Sequence, residues 1–239
     1  MPARSFVAMF LLFAFALPAP AARGDETAEG AETAPSVSSC ADMAVDAIQN
    51  RYRGTQDLRA TFRQVTRSVA FGRAGSTSES KGTVQFAKPG KMRWSYTEPD
   101  PSLLVSDGSV MWIYDPVRGE AQRLSLAGGG EYFSGAGVRF LLGEGDMREE
   151  FQVTHDDCTG AEWELELVPR RVTTFERLRV RVNPQTGDLV QTRIVDLIGN
   201  ETTVDFSEIE VNQTPDDSTF EFDPPAGVDV IDLTGPTAQ

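Results

Sequence analysis

Apolar and polar residues alternate along most of this chain, and the alternation is clearest between Lys81 and Asp100. The pattern occurs twice there, interrupted at Pro89-Gly90, so it predicts two strands joined in a hairpin. Successive side chains of a strand point to opposite faces. One face of the hairpin therefore carries Val84, Phe86, Met92, Trp94 and Tyr96, and the other carries Thr83, Gln85, Arg93 and Ser95. The apolar face must be covered, either by a second protein layer or by a ligand.

The same period of two recurs along the chain and predicts eleven short strands separated by turn residues. They are Leu58–Thr66, Lys81–Ala87, Lys91–Thr97, Leu103–Ser106, Val110–Tyr114, Ala121–Leu124, Phe151–His155, Trp163–Val168, Arg177–Asn183, Leu189–Asp196 and Thr202–Val211. Tight turns between short strands favour an antiparallel sheet that is strongly curved or nearly closed. A parallel α/β fold is not expected, because strands and helices do not alternate.

One amphipathic helix precedes the strands. Ser38 or Ser39 can cap its start, the helix covers Ala41–Tyr52, and Gly54 ends it. Its apolar stripe is formed by Ala41, Val45, Ile48 and Tyr52. We expect this stripe to cover part of the sheet.

The interval Ala127–Met147 breaks the strand pattern and holds seven glycines around one apolar group, Val138–Leu142. Long insertions in compact domains are usually functional lids or disordered segments. The apolar group favours a lid, because a merely disordered loop would not carry it.

The first residues of the chain predict that the protein is exported. Arg4, the apolar run Phe6–Leu17 and the small residues up to Ala22 follow the order of a secretory signal peptide. We predict a signal peptide over 1–21, a disordered acidic linker over 22–37, one folded domain over 38–233 and a short tail over 234–239. An uncleaved membrane anchor is the alternative interpretation of the first segment.

The charge of the chain excludes one class of partner. There are 22 Lys and Arg against 36 Asp and Glu, a net charge of −14. A protein that binds nucleic acid needs a basic surface, and this chain offers none. We therefore expect that the protein does not bind nucleic acid. We also expect it to be a monomer.

The two cysteines, Cys40 and Cys158, predict a disulfide if the protein is exported. Free thiols are one alternative. Lipidation of Cys40 is another, because small residues precede it, although the apolar run ends far upstream at Leu17.

Residues that carry chemistry are scarce, and we predict no enzyme, no metal site and no cofactor. The single histidine, His155, has Asp156 and Asp157 beside it, but two ligands make a weak metal site. Neither a nucleophile elbow nor a phosphate-binding loop is present. Large apolar residues are abundant by contrast, with 14 Phe and 3 Trp. A protein that binds an apolar ligand is therefore the leading class.

Three motifs, FAKPGKMRWSYTEPDPSLLVSDGSVMWIYDP, FLLGEGDMREEFQV and FEFDPPAGVDVID, resemble the LolA family of periplasmic lipoprotein carriers. The resemblance implies a mainly β fold, an incomplete antiparallel β-barrel of about eleven strands covered by an N-terminal helix and a short helical lid. It further implies a periplasmic carrier that takes acylated lipoproteins from an inner-membrane ABC transporter to an outer-membrane acceptor. A carrier or sensor of another lipid with the same fold is the alternative.

The resemblance also assigns roles to residues. Lys88 falls where the family has a basic residue that holds the lid closed, although the best-known members have Arg there. The predicted lipid-binding residues are Val84, Phe86, Met92, Trp94, Tyr96, Leu104, Trp112, Phe140, Leu141 and Leu142.

Overall fold

A computed structural model of the protein describes residues 39–70, 73–126 and 145–233. The predicted signal peptide, linker and tail lie outside these ranges, as does nearly all of the predicted lid. Within the described ranges, no helix is both long enough and apolar enough to cross a membrane.

The described chain consists of twelve strands, two α-helices and one 3-10 turn. The elements are α1 (Cys40–Gly54), β1 (Asp57–Ala70), β2 (Arg73–Ala87), β3 (Lys91–Glu98), β4 (Ser102–Asp107), β5 (Val110–Asp115), β6 (Glu120–Ser125), α2 (Met147–Glu150), β7 (Phe151–Asp157), β8 (Trp163–Pro169), β9 (Phe175–Val182), β10 (Leu189–Asp196), β11 (Glu201–Val211), a 3-10 turn (Asp217–Phe220) and β12 (Asp229–Asp232).

All twelve strands belong to one sheet in the order β12-β6-β5-β4-β3-β2-β1-β11-β10-β9-β8-β7. The sheet is not closed, since β12 and β7 are its edges, and the prediction of a mainly β, incomplete barrel is confirmed. All eleven predicted strands are present. The twelfth strand, β12, was not predicted, because it is four residues long and pairs parallel to β6, far away in sequence.

Two strands extend well beyond their predicted bounds. The pairing of β1 with β2 continues past Thr66 to Ala70 and Arg73. This extension is rich in serine, threonine and charged residues, so it carries no apolar alternation that a sequence pattern could detect. Backbone hydrogen bonds between the strands hold it instead.

The predicted helix is confirmed as α1, with small differences at both ends. Ser39 caps it by accepting a hydrogen bond from the backbone N–H of Asp42. The last turn closes with the N–H of Thr55 on the carbonyl of Tyr52, so no left-handed glycine ends the helix. The buried stripe consists of Ala44, Val45, Ile48 and Tyr52; Ala41, which was predicted to belong to it, is only partly buried.

Helix α1 packs against one face of the sheet, which we call the inner face. Its buried stripe joins a single core cluster with apolar residues of β1–β3 and β7–β11. A disulfide between Cys40 and Cys158 ties its first residue to the β7–β8 turn, which confirms the predicted pairing and contradicts both free thiols and a lipidated Cys40. Arg148 of α2 adds ion pairs to Asp42 and Asp46 on the exposed side of the helix.

The C-terminal segment covers the opposite, outer face of β3–β6. Lys91 pairs with Asp217, and Arg93 donates a hydrogen bond to the carbonyl of Thr219. Phe220 is almost completely buried. The outer face of this half of the sheet therefore has a protein cover of its own.

We predict that removing the disulfide destabilises the protein without changing its fold. The bridge joins residues 118 positions apart. For a loop of this length the chain-entropy model gives a stabilisation of about 4–5 kcal/mol, and the observed stabilisation is commonly smaller. Cys40→Ser, Cys158→Ser and the double variant should lower the melting temperature by the same amount, as followed by circular dichroism. Non-reducing peptide mapping that finds both thiols free in periplasmic protein would contradict the pairing.

Candidate functional site

Six of the predicted lipid-binding residues lie together on the inner face of β2, β3 and β4. Cross-strand partners share a face, and the register pairs Phe86 with Met92, Val84 with Trp94, and Trp94 with Leu104. Tyr96 lies two residues beyond Trp94 on the same face. The set brought together is Val84, Phe86, Met92, Trp94, Tyr96 and Leu104.

Five rings of this face form what we call the aromatic cluster: Phe62, Phe86, Trp94, Tyr96 and Phe206. The ring of Phe62 lies 4.8 Å from that of Trp94 and 5.1 Å from that of Tyr96, centroid to centroid. Gly82 makes room for this packing, since a Cβ there would lie 2.9 Å from the Phe62 ring and would also clash with the carbonyl of Ser95. Tilted and edge-on ring contacts at such distances are favourable.

Trp112 does not join the other predicted residues, because the structure places it on the outer face. On β5, Ile113 rather than Trp112 is the partner of Leu104, while Trp112 pairs with Val105. The Trp112 ring packs 5.7 Å from Phe222 of the C-terminal segment. The sequence shows the alternation on β5 but not which of its two apolar faces is turned toward α1.

Phe140, Leu141 and Leu142 lie outside the described residues, so their role as lid residues stays a prediction. Lys88 is described and lies in the turn between β2 and β3. Its Nζ donates a hydrogen bond to the carbonyl of Tyr52, 3.0 Å away, and lies 3.5 Å from the carbonyl of Arg53. The contact that Lys88 makes here is thus with the C-terminal end of α1, where carbonyls lack helical partners and cations are favourable.

Tyr52 links this end of α1 to the other half of the sheet. Its hydroxyl accepts a hydrogen bond from the buried N–H of Leu189 at the start of β10. Burial raises the pKa of the Tyr52 hydroxyl, because the charged form would lose its hydration. Next to it, Arg51 forms an ion pair of 2.7 Å with Asp188.

A small pocket lies between α1 and the inner face, beside the aromatic cluster. Its lining is mostly apolar and is formed by Tyr52, Leu58, Ala60, Phe86, Leu189, Phe206 and Ile209. Of these, only Phe86 was a predicted site residue. Leu58 and Ala60 alternate with Phe62 within a predicted strand, so the signal for a common face was present. What the sequence does not show is that β1 lies between β2 and β11 and thereby brings Phe206 to the site.

The inner face becomes polar beyond the aromatic cluster. Along β1, Leu58, Ala60 and Phe62 are followed on the same face by Gln64 and Thr66. The Tyr96 hydroxyl donates to the side-chain oxygen of Gln64 at 3.2 Å. Burial raises the pKa of Tyr96 to about 12, against the opposing effect of this hydrogen bond.

The single histidine, a candidate for chemistry, does not lie on the inner face with the aromatic cluster. His155 lies on an exposed part of β7, and the neighbouring Asp157 carboxylate accepts hydrogen bonds from Thr159. These hydrogen bonds lower the pKa of Asp157. In the part of the chain that the structure describes, no three His, Cys, Asp or Glu side chains are grouped so that they could hold a metal ion.

Comparison with known proteins identifies relatives over most of this domain. A family model described as outer membrane lipoprotein carrier protein LolA matches residues 53–223. An outer-membrane lipoprotein carrier protein of Dechloromonas aromatica is 32% identical over 190 residues, covering 79% of this chain and 87% of the relative. One from Cupriavidus necator is 32% identical over 192 residues, covering 79% and 87%.

A solved structure supports the fold alone. An uncharacterized conserved protein from Thermus thermophilus superimposes with a TM-score of 0.51 at 10% sequence identity, covering 81% of this chain and 99% of that protein.

We predict that Tyr52→Phe lowers the free energy of unfolding by about 1–3 kcal/mol, because the buried N–H of Leu189 loses its partner. Tyr114→Phe is a matched control, since the Tyr114 hydroxyl makes no hydrogen bond to a described residue while its ring packs on Phe222. Chemical denaturation measures both. Equal stability of the two variants would show that the Tyr52 hydroxyl contributes nothing.

Proposed function

Because the chain belongs to the LolA family of outer membrane lipoprotein carrier proteins, we propose that its inner face shelters the acyl chains of lipoproteins. In this proposal the protein works in the periplasm. It receives acylated lipoproteins from an inner-membrane ABC transporter and delivers them to an outer-membrane acceptor, without a cofactor.

The observation that carries this proposal is the aromatic cluster on the inner face of β1–β3 and β11. Trp94, at its centre, is only partly buried, although it contacts Phe62, Phe86, Tyr96 and Phe206. On the outer face, by contrast, the C-terminal segment packs over the apolar residues of β4–β6. An apolar face on which Trp94 stays partly exposed among the described residues suits a ligand that completes the packing when it binds.

The energetics of acyl chains explain why such a shelter is needed. Each methylene transferred out of water contributes about 0.8 kcal/mol, and one acyl chain gives only marginal membrane attachment. A lipoprotein with three chains is therefore held in the membrane by tens of kcal/mol on the same scale. It can cross water only against an apolar surface of comparable size.

In this proposal, the described residues correspond to the closed form of the carrier. The pocket beside α1 has room for about one water molecule, whereas ligand sites usually hold about 300–1,000 Å³. Acyl chains must therefore displace part of the cover. Closure in the empty protein has a clear advantage, because large exposed apolar patches promote aggregation.

The contacts of Lys88 support its proposed role as a switch between closed and open forms. Its ammonium group ties the β2–β3 turn to the carbonyl of Tyr52, the last buried residue of α1. In our proposal this contact stabilises the closed, empty form. The link then opposes loading and favours release. The role of Phe140, Leu141 and Leu142 as lid residues, outside the described ranges, stays a prediction.

We predict that native mass spectrometry of the protein purified from its own periplasm will show a bound triacylated lipoprotein. The same measurement on a delipidated sample, reloaded with a synthetic triacylated lipopeptide, should give the same stoichiometry. A free lipid as the sole bound species would instead support a carrier or sensor of another lipid. Neither species bound, and no reloading, would contradict the proposed function.

We predict that Lys88→Leu binds lipoprotein at least as tightly as the wild type but transfers it to the acceptor about five- to tenfold more slowly. The variant loses a charged donor to the carbonyl of Tyr52, so the closed form loses stabilisation relative to the loaded form. Transfer is measured between purified carrier and acceptor.

Lys88→Arg is the matched control, because guanidinium keeps the charge and can donate to both carbonyls at once. It should transfer at least as fast as the wild type. If Lys88→Leu also transfers at the wild-type rate, Lys88 serves only the turn between β2 and β3.

A further inference from the structure

The Trp94 indole leaves a polar group unsatisfied in the middle of the aromatic cluster. Its Nε1 is buried and makes no hydrogen bond to any residue that the structure describes. A buried donor without a partner is destabilising, and native proteins leave few such groups. The Trp94 N–H therefore needs an explanation that packing does not provide.

The neighbours of Trp94 cannot satisfy this donor. Phe62, Phe86 and Phe206 offer only ring faces and edges, which accept hydrogen bonds weakly at best. Its cross-strand partners, Val84 and Leu104, are aliphatic. Tyr96 is the remaining ring neighbour; its hydroxyl donates to Gln64, and no hydrogen bond joins its oxygen to the Trp94 N–H.

The position of Trp94 on the inner face suggests which atom the donor meets. On one side the face is apolar, with Phe86, Met92 and the pocket beside α1. On the other side it is polar, beginning at Gln64 and continuing to Thr66, whose hydroxyl lies 3.4 Å from that of Thr202. A ligand with hydrocarbon chains and a polar linkage would place the linkage at this boundary.

We propose that the Trp94 Nε1–H donates a hydrogen bond to a carbonyl oxygen of the ester or amide linkage that joins the acyl chain to the rest of the bound lipoprotein. Trp94 is then a specificity-determining residue: it distinguishes acyl esters and amides from hydrocarbon chains of equal length that lack a carbonyl. This inference rests on the proposed function, because it assumes acyl chains against the aromatic cluster.

The test compares two probes and three proteins. One probe is a lipopeptide with a diacylglyceryl cysteine, and the other is the same peptide with the two ester groups replaced by ethers. Both have chains of the same length, so the apolar contribution cancels in the ratio of their dissociation constants. The wild type should bind the ester probe about three- to tenfold more tightly than the ether probe, as expected for one hydrogen bond.

Trp94→Phe should abolish this preference and bind both probes with the same affinity. The phenyl ring keeps an aromatic contact and removes the donor; any loss of packing affects the two probes alike. Trp112→Phe is the matched control, because it makes the same change on the outer face, against Phe222. It should keep the wild-type preference.

The outcomes separate the inference from the proposed function. If the wild type binds both probes equally, the assignment of Trp94 is overturned while the carrier function stands; this result needs no variant and does not depend on the folding of Trp94→Phe. A preference that persists in folded Trp94→Phe also overturns it. Failure of the wild type to bind either probe contradicts the proposed function itself.

Discussion

The packing of α1 across the inner face is the constraint on which the rest of the structure depends. An open sheet with a broadly apolar face must bury that face against another layer, and α1, together with Met147 of α2, provides the described part of this layer. The disulfide at Cys40 holds its beginning, while Tyr52 and Lys88 hold its end. The cover is therefore anchored at its N-terminus by a covalent bond and at its C-terminus by hydrogen bonds and the Arg51–Asp188 ion pair, which can break and re-form.

The two faces of the sheet are covered by different parts of the chain, and this difference makes the inner face available for a ligand. On the outer face, the C-terminal segment brings Phe220 and Phe222 against β4 and β5, so those apolar residues are packed by the chain itself. On the inner face, the aromatic cluster around Trp94 is only partly covered. Trp94 and Trp112 lie two strands apart but on opposite faces of the sheet. Trp112 packs against the C-terminal segment, whereas Trp94 stays partly exposed.

The change from apolar to polar residues along the inner face matches an amphiphilic cargo. Hydrocarbon chains gain from contact with Phe86, Met92 and the pocket beside α1, whereas Gln64, Thr66 and Thr202 can accompany groups that keep hydrogen bonds. The unsatisfied Trp94 donor lies near the border between the two regions. A site of this kind selects its ligand by apolar area and by the position of a few polar atoms.

Local pattern in the sequence determined the elements: the period of two predicted eleven of the twelve described strands, although β1 and β2 extend well beyond their predicted bounds, and helical spacing predicted α1. The same alternation put Val84, Phe86, Met92, Trp94 and Tyr96 on one face, because that depends only on strand geometry. Strand order and the choice of face depend on pairings between distant segments, so only the tertiary structure decided them. It placed β1 next to β11, which brought Phe206 to Trp94. It also placed the C-terminal segment against Trp112. The sequence of β5 could not predict this, because the strand has apolar residues on both faces.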